Sequence, residues 1–275
     1  MIWKVRNNTV SFGRTLIMGI LNVTPDSFSD GGRYLDPEAA LRQALKLVEE
    51  GADILDIGAE STRPGALSVT GREELGRLLP VLTRIRKEAS VPLSIDTVRP
   101  EVARQCLEAG ADIINDVSGL KCSGAEMARL AGEFGAGLVL MHSRGTPETM
   151  QTLTDYGDVV ADVLNELRES IKIATDAGLD RDHLVVDPGL GFAKTPEQNL
   201  EILKHISKFQ ELGFPVLAGP SRKAFIGRVT GRVAADRAFG TAACVAVCVT
   251  GGVQILRVHD AGAMRDVIRM TEAIQ

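Results

Sequence analysis

An excess of basic charge, a bilayer-length apolar run, a paired-cysteine motif and a dinucleotide fingerprint are all missing from this sequence. Lys and Arg number 31 against 36 Asp and Glu, a net charge of −5, with no basic stripe or Arg-rich helix. Nucleic-acid and anionic-membrane binding therefore lack electrostatic support, although local Arg and Lys leave room for a small anionic substrate. The longest small-apolar run, Ala242 to Val249, is too short to span a bilayer. Trp3-Lys4-Val5-Arg6-Asn7-Asn8 interrupts any signal-peptide core, so the expected location is the cytoplasm. The cysteines, Cys106, Cys122, Cys244 and Cys248, form no C-x-x-C. Cys244 and Cys248, at i and i+4 among Ala and Val, read as small buried residues on a helix rather than as a metal site or disulfide. No G-x-G-x-x-G follows the first apolar run, and no linker or low-complexity stretch marks a second domain.

What is present is a repeat of one pattern. Residues 2–13, IWKVRNNTVSFG, alternate about Asn7-Asn8 and read as a hairpin that precedes the repeats and could plug one end of them. Then a helix ends near Gly, an aliphatic and β-branched strand comes next, and the strand ends on a polar residue. Strand-length apolar runs occur at Thr15–Leu21, in ILDIG before Glu60, at Pro92–Ile95, before Asn115-Asp116, in LVLM before His142, in LVV before Asp187, at Pro215–Ala218 and in QILRV before His259. Between them, amphipathic periodicity predicts helices near 37–50, 71–89, 99–109, 124–134, 157–177, 196–212, 234–250 and 261–274. Asp36-Pro37 and Thr195-Pro196-Glu197-Gln198 are helix starts, each a cap followed by Pro at the first helical position. Eight βα repeats over about 260 residues predict a single α/β domain, a (β/α)₈ TIM barrel spanning 1–275 with the hairpin at 1–14. Near-continuous apolar strands fit a parallel sheet covered on both faces. An open doubly wound sheet fits less well, because no change of rhythm divides the chain into halves.

In such a barrel the active site lies at the C-terminal ends of the strands. Reading those ends in order gives Asn22, Glu60, Asp96, Asn115 with Asp116, His142, Asp187, the loop Gly219-Pro220-Ser221-Arg222-Lys223, and Arg257 with His259. Any one Asp or Asn there could be only a cap or turn former. Turns alone do not require Lys223, Arg257, His259 and several carboxyl or amide groups at one mouth. Asp96, Asn115 and Asp187 suit a planar heterocycle rich in N–H donors, since a carboxylate accepts two parallel N–H bonds and an amide both gives and accepts. A divalent-cation cage is the weaker alternative. In GPSRKAFIG (219–227), Ser221 could cap a short helix facing an anion, with Arg222 and Lys223 nearby and Arg257 and His259 arriving from strand eight. Arg257, inside an apolar strand, needs an anion or a planar stacking partner. His142 is either a ligand or base, or a packed and hydrogen-bonded residue; Glu60 reads as structural. The loop NVTPDSFSDGG (22–32) carries one aromatic, Phe28, and a Gly31-Gly32 hinge, a pattern suited to a lid over the ligand held by Asn22.

The strings NVTPDSFSDGG, GAESTRPG (58–65), SIDT (94–97), IINDVSG (113–119), LMHSRGTPETMQ (140–151), DPGLGFAKT (187–195), GPSRKAFIG and RVHD (257–260) occur in the order found in the dihydropteroate synthase family, which the chain resembles from strand one to strand eight. Ala59 and Ala224 stand where Gly and Ser are commoner, and neither removes a contacting side chain. The resemblance implies condensation of 6-hydroxymethyl-7,8-dihydropterin diphosphate with 4-aminobenzoate to give 7,8-dihydropteroate and diphosphate. It implies that Asp96, Asn115, Asp187 and Lys223 hold the pterin edge and that Arg257 stacks on the ring. Asn22 would ligate Mg²⁺ carried with the diphosphate, whose oxygens would meet Arg63, Ser221, Arg257 and His259. Phe28, Thr62, Pro64, Phe192, Ser221 and Lys223 would form the aminobenzoate pocket. Asp30, Arg63, Asp96 and Lys223 are the expected catalytic residues, the two aspartates stabilising positive charge in an S_N1-like transfer. A homodimer built on the last helices is also implied. Rival readings are a methyltransferase on the same pterin-binding barrel, a Schiff-base aldolase using Lys223, and a non-catalytic pterin or phosphate binder.

Overall fold

Each apolar run becomes a short strand whose two faces are both covered, so its backbone polarity can be satisfied only by parallel neighbours in the sheet. The computed structural model describes residues 1–24, 36–60 and 68–275. An antiparallel hairpin, β1 (Ile2–Val5) and β2 (Asn8–Ser11), precedes the barrel strands. These are β3 (Leu16–Asn22), β4 (Ile54–Gly58), β5 (Leu93–Asp96), β6 (Ile113–Asp116), β7 (Gly137–Met141), β8 (Leu184–Asp187), β9 (Leu217–Ala218) and β10 (Ile255–Val258). They pair in parallel in the order β8-β7-β6-β5-β4-β3-β10-β9, and a Val186–Val216 bridge closes the ring. The TIM barrel expected from the repeats is therefore the observed architecture.

The helices α1 (Pro37–Glu49), α2 (Gly71–Glu88), α3 (Pro100–Glu108), α4 (Ala125–Phe134), α5 (Val159–Asp176), α6 (Pro196–Lys204), α7 (Ala224–Thr230), α8 (Ala238–Thr250) and α9 (Ala261–Ile274) follow the strands. Their starts are chemically marked. Asp36 accepts from the Glu38 amide, and Thr70 with Glu73 and Thr195 with Gln198 form reciprocal capping boxes. Two helices are shorter than their periodicity predicts. Residues 196–212 break at His205, whose φ of −113° leaves the helical range, and continue as 3₁₀ turns over Ile206–Leu212. Residues 234–236 form a separate 3₁₀ turn before α8. Among the described residues no helix is long and apolar enough to cross a membrane.

Strand alternation sorts the core into an outer and an inner set. Leu55, Ile57, Leu93, Ile95, Ile114, Leu138, Leu140, Leu256 and Val258 join the apolar layer shared with the helices. Met18, Ile54, Ile113, Val139, Val185, Leu217 and Ile255 point inward and meet the hairpin. Trp3 and Val5 are fully buried among them, and the Trp3 indole N–H donates to the His183 carbonyl at 2.9 Å. Gly137 makes room for this plug, since a Cβ there would stand 2.8 Å from the Trp3 ring and from Val5. The hairpin turns on Arg6-Asn7, one residue before the Asn7-Asn8 pivot expected from sequence, because Val5 pairs with Asn8. Apart from Gly, Asn is the usual occupant of a left-handed turn position. Here Arg6 takes it, at φ 54°, with its guanidinium donating to the Leu107 and Ala111 carbonyls, each at 2.9 Å. Replacing Trp3 by Ala should lower stability by about 3–5 kcal/mol, measured by urea unfolding, because it empties a fully enclosed site.

Candidate functional site

The inner set changes character two residues further along each strand. Above the apolar floor the same parity brings Ile20, Asp56, Asp96, Asn115, Met141, Asp187, Gly219 and Arg257 inward. Arg257 organises this layer: its Nε–H donates to Asp56 Oδ2 at 2.6 Å, and a terminal N–H donates to Asp96 Oδ2 at 2.9 Å. Asp56, with no exposed surface, also accepts from Ser94 Oγ at 2.6 Å and from Asn115 Nδ2 at 3.2 Å. Its oxygens are thus satisfied by fixed donors, the condition under which a buried carboxylate is tolerable. Attention to strand ends misses Asp56, because ILDIG buries this acid two residues before its end. The available signal is the one that singles out Arg257: a charge inside an apolar strand, on the inward parity.

Asp96, Asn115, Asp187, Lys223, Arg257 and Phe192 line one cavity with Val117, Met141, Leu190 and Gly219. The four residues expected to hold the pterin edge and Arg257, expected to stack on the ring, are therefore together. Asp187 accepts from the Gly189 amide at 2.7 Å, and the Lys223 ammonium lies 4.2 Å from the Phe192 ring centre. Burial raises the Asp96 carboxyl to about 7, helped by the negative charge of Asp56 and opposed by Arg257. Burial likewise raises Asp187 to about 6 against the Gly189 hydrogen bond and the pull of Lys223. Burial lowers Lys223 to about 8, with Arg257 adding to the effect. Three acids thus face two cations, and Arg257 is already engaged by two of the acids. The carboxyl oxygens of Asp96 and Asp187 can take further N–H donors, which an amidine-like heterocycle edge would supply.

Toward the rim, the His259 amide donates to Ser221 Oγ at 3.2 Å, and Ser221 Oγ lies 2.9 Å from His259 Nδ1. The hydroxyl accepts from the amide and keeps both a proton and a second lone pair for Nδ1; where it donates its proton to Nδ1, the ring proton resides on Nε2. Burial, with Arg257 and Arg222 nearby, lowers His259 to about 4, leaving a neutral imidazole that in its Nε2–H tautomer can donate to an anion. Two expectations need correction. Ser221 does not cap the following helix: α7 begins at Ala224 with Lys223 in the cap position, and the Ser221 hydroxyl is committed to His259. Arg222 does not join the anion site as a free cation; it chelates Asp260 through Nε at 3.1 Å and a terminal nitrogen at 2.5 Å.

Asn22 ends β3 half-buried, paired with Gly58. Among the described residues no group of three or more His, Cys, Asp or Glu could hold a metal, and Asp96 is occupied by Arg257. The cation-cage alternative at Asp96, Asn115 and Asp187 would have to compete with Arg257 for Asp96. One amide oxygen from Asn22 fits only a metal that brings most of its ligands with a phosphate substrate, which is the habit of Mg²⁺. Phe28, Asp30, Thr62, Arg63 and Pro64, with the proposed lid, lie outside the described residues. Glu60 is structural as read, accepting from Arg99 at 2.6 Å. His142 is the packed alternative: buried, with Nδ1 3.0 Å from the Lys194 ammonium and Nε2 3.2 Å from Glu166.

A closed parallel barrel whose polar layer presents an acid, an amide, a second acid and a lysine to one cavity is the architecture of a pterin-binding enzyme, and the pterin-binding enzyme family matches residues 18–259. A dihydropteroate synthase of Bacillus subtilis is 47% identical over 95% of this chain and 89% of its own. One from Synechocystis is 45% identical over 95% and 90%. The Xanthomonas albilineans dihydropteroate synthase solved with 4-aminobenzoic acid superposes with a TM-score of 0.93 at 42% identity, covering 100% of this chain and 99% of that one. The Yersinia pestis enzyme solved with a sulfonamide drug superposes equally well, at 0.93 and 36% identity, over 100% and 99%. The chain belongs to the dihydropteroate synthase family.

The raised acids make a signed prediction. Between the unfolded value of 3.8 and about 6, folded Asp187 holds a proton that the unfolded chain has released. Its contribution to stability therefore falls as pH rises through that window. Asp187→Asn should lose less stability than the wild type between pH 4 and pH 6 in urea titrations; parallel curves would contradict the assignment.

Proposed function

We propose that this chain is a dihydropteroate synthase, a transferase of folate biosynthesis. It would join 6-hydroxymethyl-7,8-dihydropterin diphosphate to 4-aminobenzoate, forming 7,8-dihydropteroate and releasing diphosphate. The observation that carries this reading is the convergence of Asp96, Asn115, Asp187, Lys223 and Arg257 on one cavity, in a chain whose Bacillus subtilis relative is 47% identical.

The residues account for the chemistry. The pterin edge offers adjacent N–H donors; Asp96, Asn115 and Asp187 receive them, while Lys223 donates to the ring's acceptors. Arg257, held in place by Asp56 and Asp96, presents the face of its guanidinium to the ring. The bond that breaks is C–O to diphosphate, and the electron pair leaves with that group. Neutral His259, as the tautomer with its proton on Nε2, and Arg63 stabilise the charge gathering on the leaving oxygens. Asn22 would hold Mg²⁺ arriving with the substrate, and that ion when bound supplies further neutralisation of the diphosphate. Asp96 beneath the ring and Asp30 from the first loop stabilise the positive charge that develops on the pterin methylene carbon. The arylamine nitrogen attacks that carbon and then releases a proton; it is already nucleophilic near neutral pH, so no strong base is needed. Phe28, Thr62, Pro64, Phe192, Ser221 and Lys223 form the aminobenzoate pocket in this reading, and a sulfonamide, as an aminobenzoate mimic, would compete there. A cytoplasmic location belongs to the same proposal.

The reading includes a homodimer. Val229, Val233, Phe239, Val247, Met270 and Ile274 are exposed on or beside α7, α8 and α9, and Phe239 is 91% exposed. Helix α8, AFGTAACVAVCVT, carries no charged residue. Such a face in contact with water is best explained by a second copy that covers it.

Adding pterin diphosphate, 4-aminobenzoate and Mg²⁺ to the purified protein should release diphosphate and form dihydropteroate; absence of both would end the proposal. Asp187→Asn and Lys223→Ala should each weaken pterin binding, read by calorimetry, by at least about tenfold. Phe239→Asp should shift the sedimentation coefficient from dimer to monomer, and an unchanged dimer would show that this face is not the contact.

A further inference from the structure

The loop after β8 is wound about a buried ammonium to which the mechanism assigns nothing. Lys194 is 3% exposed. Its Nζ donates to the Gly189 carbonyl at 3.0 Å, the Phe192 carbonyl at 2.9 Å and His142 Nδ1 at 3.0 Å. Burial lowers Lys194 to about 7, and in its charged form three N–H groups meet three acceptors, so the ammonium is satisfied without a direct acidic partner. Because Nδ1 accepts, His142 carries its proton on Nε2, the atom facing Glu166 at 3.2 Å. Glu166 also accepts from Arg144, whose guanidinium lies 3.8 Å from the Tyr156 ring centre. The Tyr156 hydroxyl returns to the loop, donating to the Ala193 carbonyl at 2.9 Å. The chain of contacts from Lys194 to Tyr156 therefore begins and ends on the same segment.

That segment is one that would not hold its shape unaided. Gly189, Gly191 and Ala193 all have positive φ, at 69°, 86° and 48°. Gly189 has no alternative, since a Cβ would collide with the His142 carbonyl oxygen. Ala193 does carry a Cβ, and a left-handed non-glycine residue persists only where its surroundings over-determine it. Between these residues Phe192, 8% exposed, is held with its ring over Lys223. Asp187, by contrast, is fixed by the sheet itself, its carbonyl accepting from the His142 amide at 2.8 Å.

We propose that Lys194 is a positioning residue for the aminobenzoate site, its ammonium serving as an internal cross-link that fixes Phe192 over Lys223. The assignment rests on the reaction proposed above. It divides the loop: the pterin-side acid is anchored by the barrel, and the aminobenzoate-side wall by Lys194. Tyr156 and His142 are accessory to the same clamp.

Lys194→Met keeps the stem and removes all three donors. It should raise KM for 4-aminobenzoate at least about tenfold and change the pterin dissociation constant by less than about threefold. In a Phe192→Leu background the same substitution should add little further to that KM, because the two residues act as one unit. A folded Lys194→Met protein with unchanged aminobenzoate KM, or an effect fully additive with Phe192→Leu, overturns the proposal. A merely structural lysine would lower the folded fraction and leave KM alone. Should Lys194→Met fail to fold, Tyr156→Phe, which removes the Ala193 donor, should raise the same KM to a smaller degree, and no rise overturns it. If the wild-type chain releases no diphosphate, the reaction itself is wrong, and hydrogen exchange then tests the cross-link alone. Faster exchange at the Gly191 and Phe192 amides in Lys194→Met supports it, and unchanged exchange overturns it.

Discussion

A guanidinium buried between two carboxylates is the constraint on which the mouth of this barrel depends. Arg257 cannot be left inside an apolar strand without anions, and Asp56 and Asp96 cannot share the interior without a cation between them. Each makes the others tolerable. Removing Asp56 would leave Ser94 and Asn115 without their common acceptor. The ion pair also fixes the plane of the guanidinium, which prepares a flat surface before any ligand arrives. Preorganisation of this kind takes its energy from folding rather than from binding.

The rest of the site is arranged by depth. At the bottom are apolar side chains and the hairpin; above them lies the charged layer; nearer the rim are the hydroxyl of Ser221 and the neutral ring of His259. Acceptors for N–H groups therefore sit deep and donors for an anion sit shallow. A molecule with a donor-rich heterocycle at one end and a phosphate group at the other can enter in one orientation only. Burial does the electrostatic work at both levels, raising Asp96 and Asp187 and lowering His259.

Much of this is legible in the sequence because period-two alternation and strand-end polarity are local signals. The eight strands, the hairpin and the residues Asp96, Asn115, Asp187, Lys223, Arg257 and His259 can be read from residues within a few positions of each other. Asp56 escapes such a reading although its parity matches Arg257, since the pairing that explains it spans 201 residues. Lys194 stands inside the string DPGLGFAKT, but nothing local says that its ammonium turns back on its own loop. Ser221 resembles a helix cap because the competing partner, His259, lies 38 residues away. Arg6 replaces Asn as the turn residue because distant carbonyls, at Leu107 and Ala111, hold it there. In each case the local preference is real and a long-range hydrogen bond outweighs it.

The hairpin beneath the barrel has a consequence for traffic. With Trp3 and Val5 stoppering the lower end, the described residues form a vessel filled and emptied through the same neck. A ligand resting on the Asp96–Asn115–Asp187 layer would reach it past Ser221 and His259, and would leave by the same way. The stopper, at the opposite end of the barrel from the polar layer, thus leaves a bound molecule one side by which to come and go.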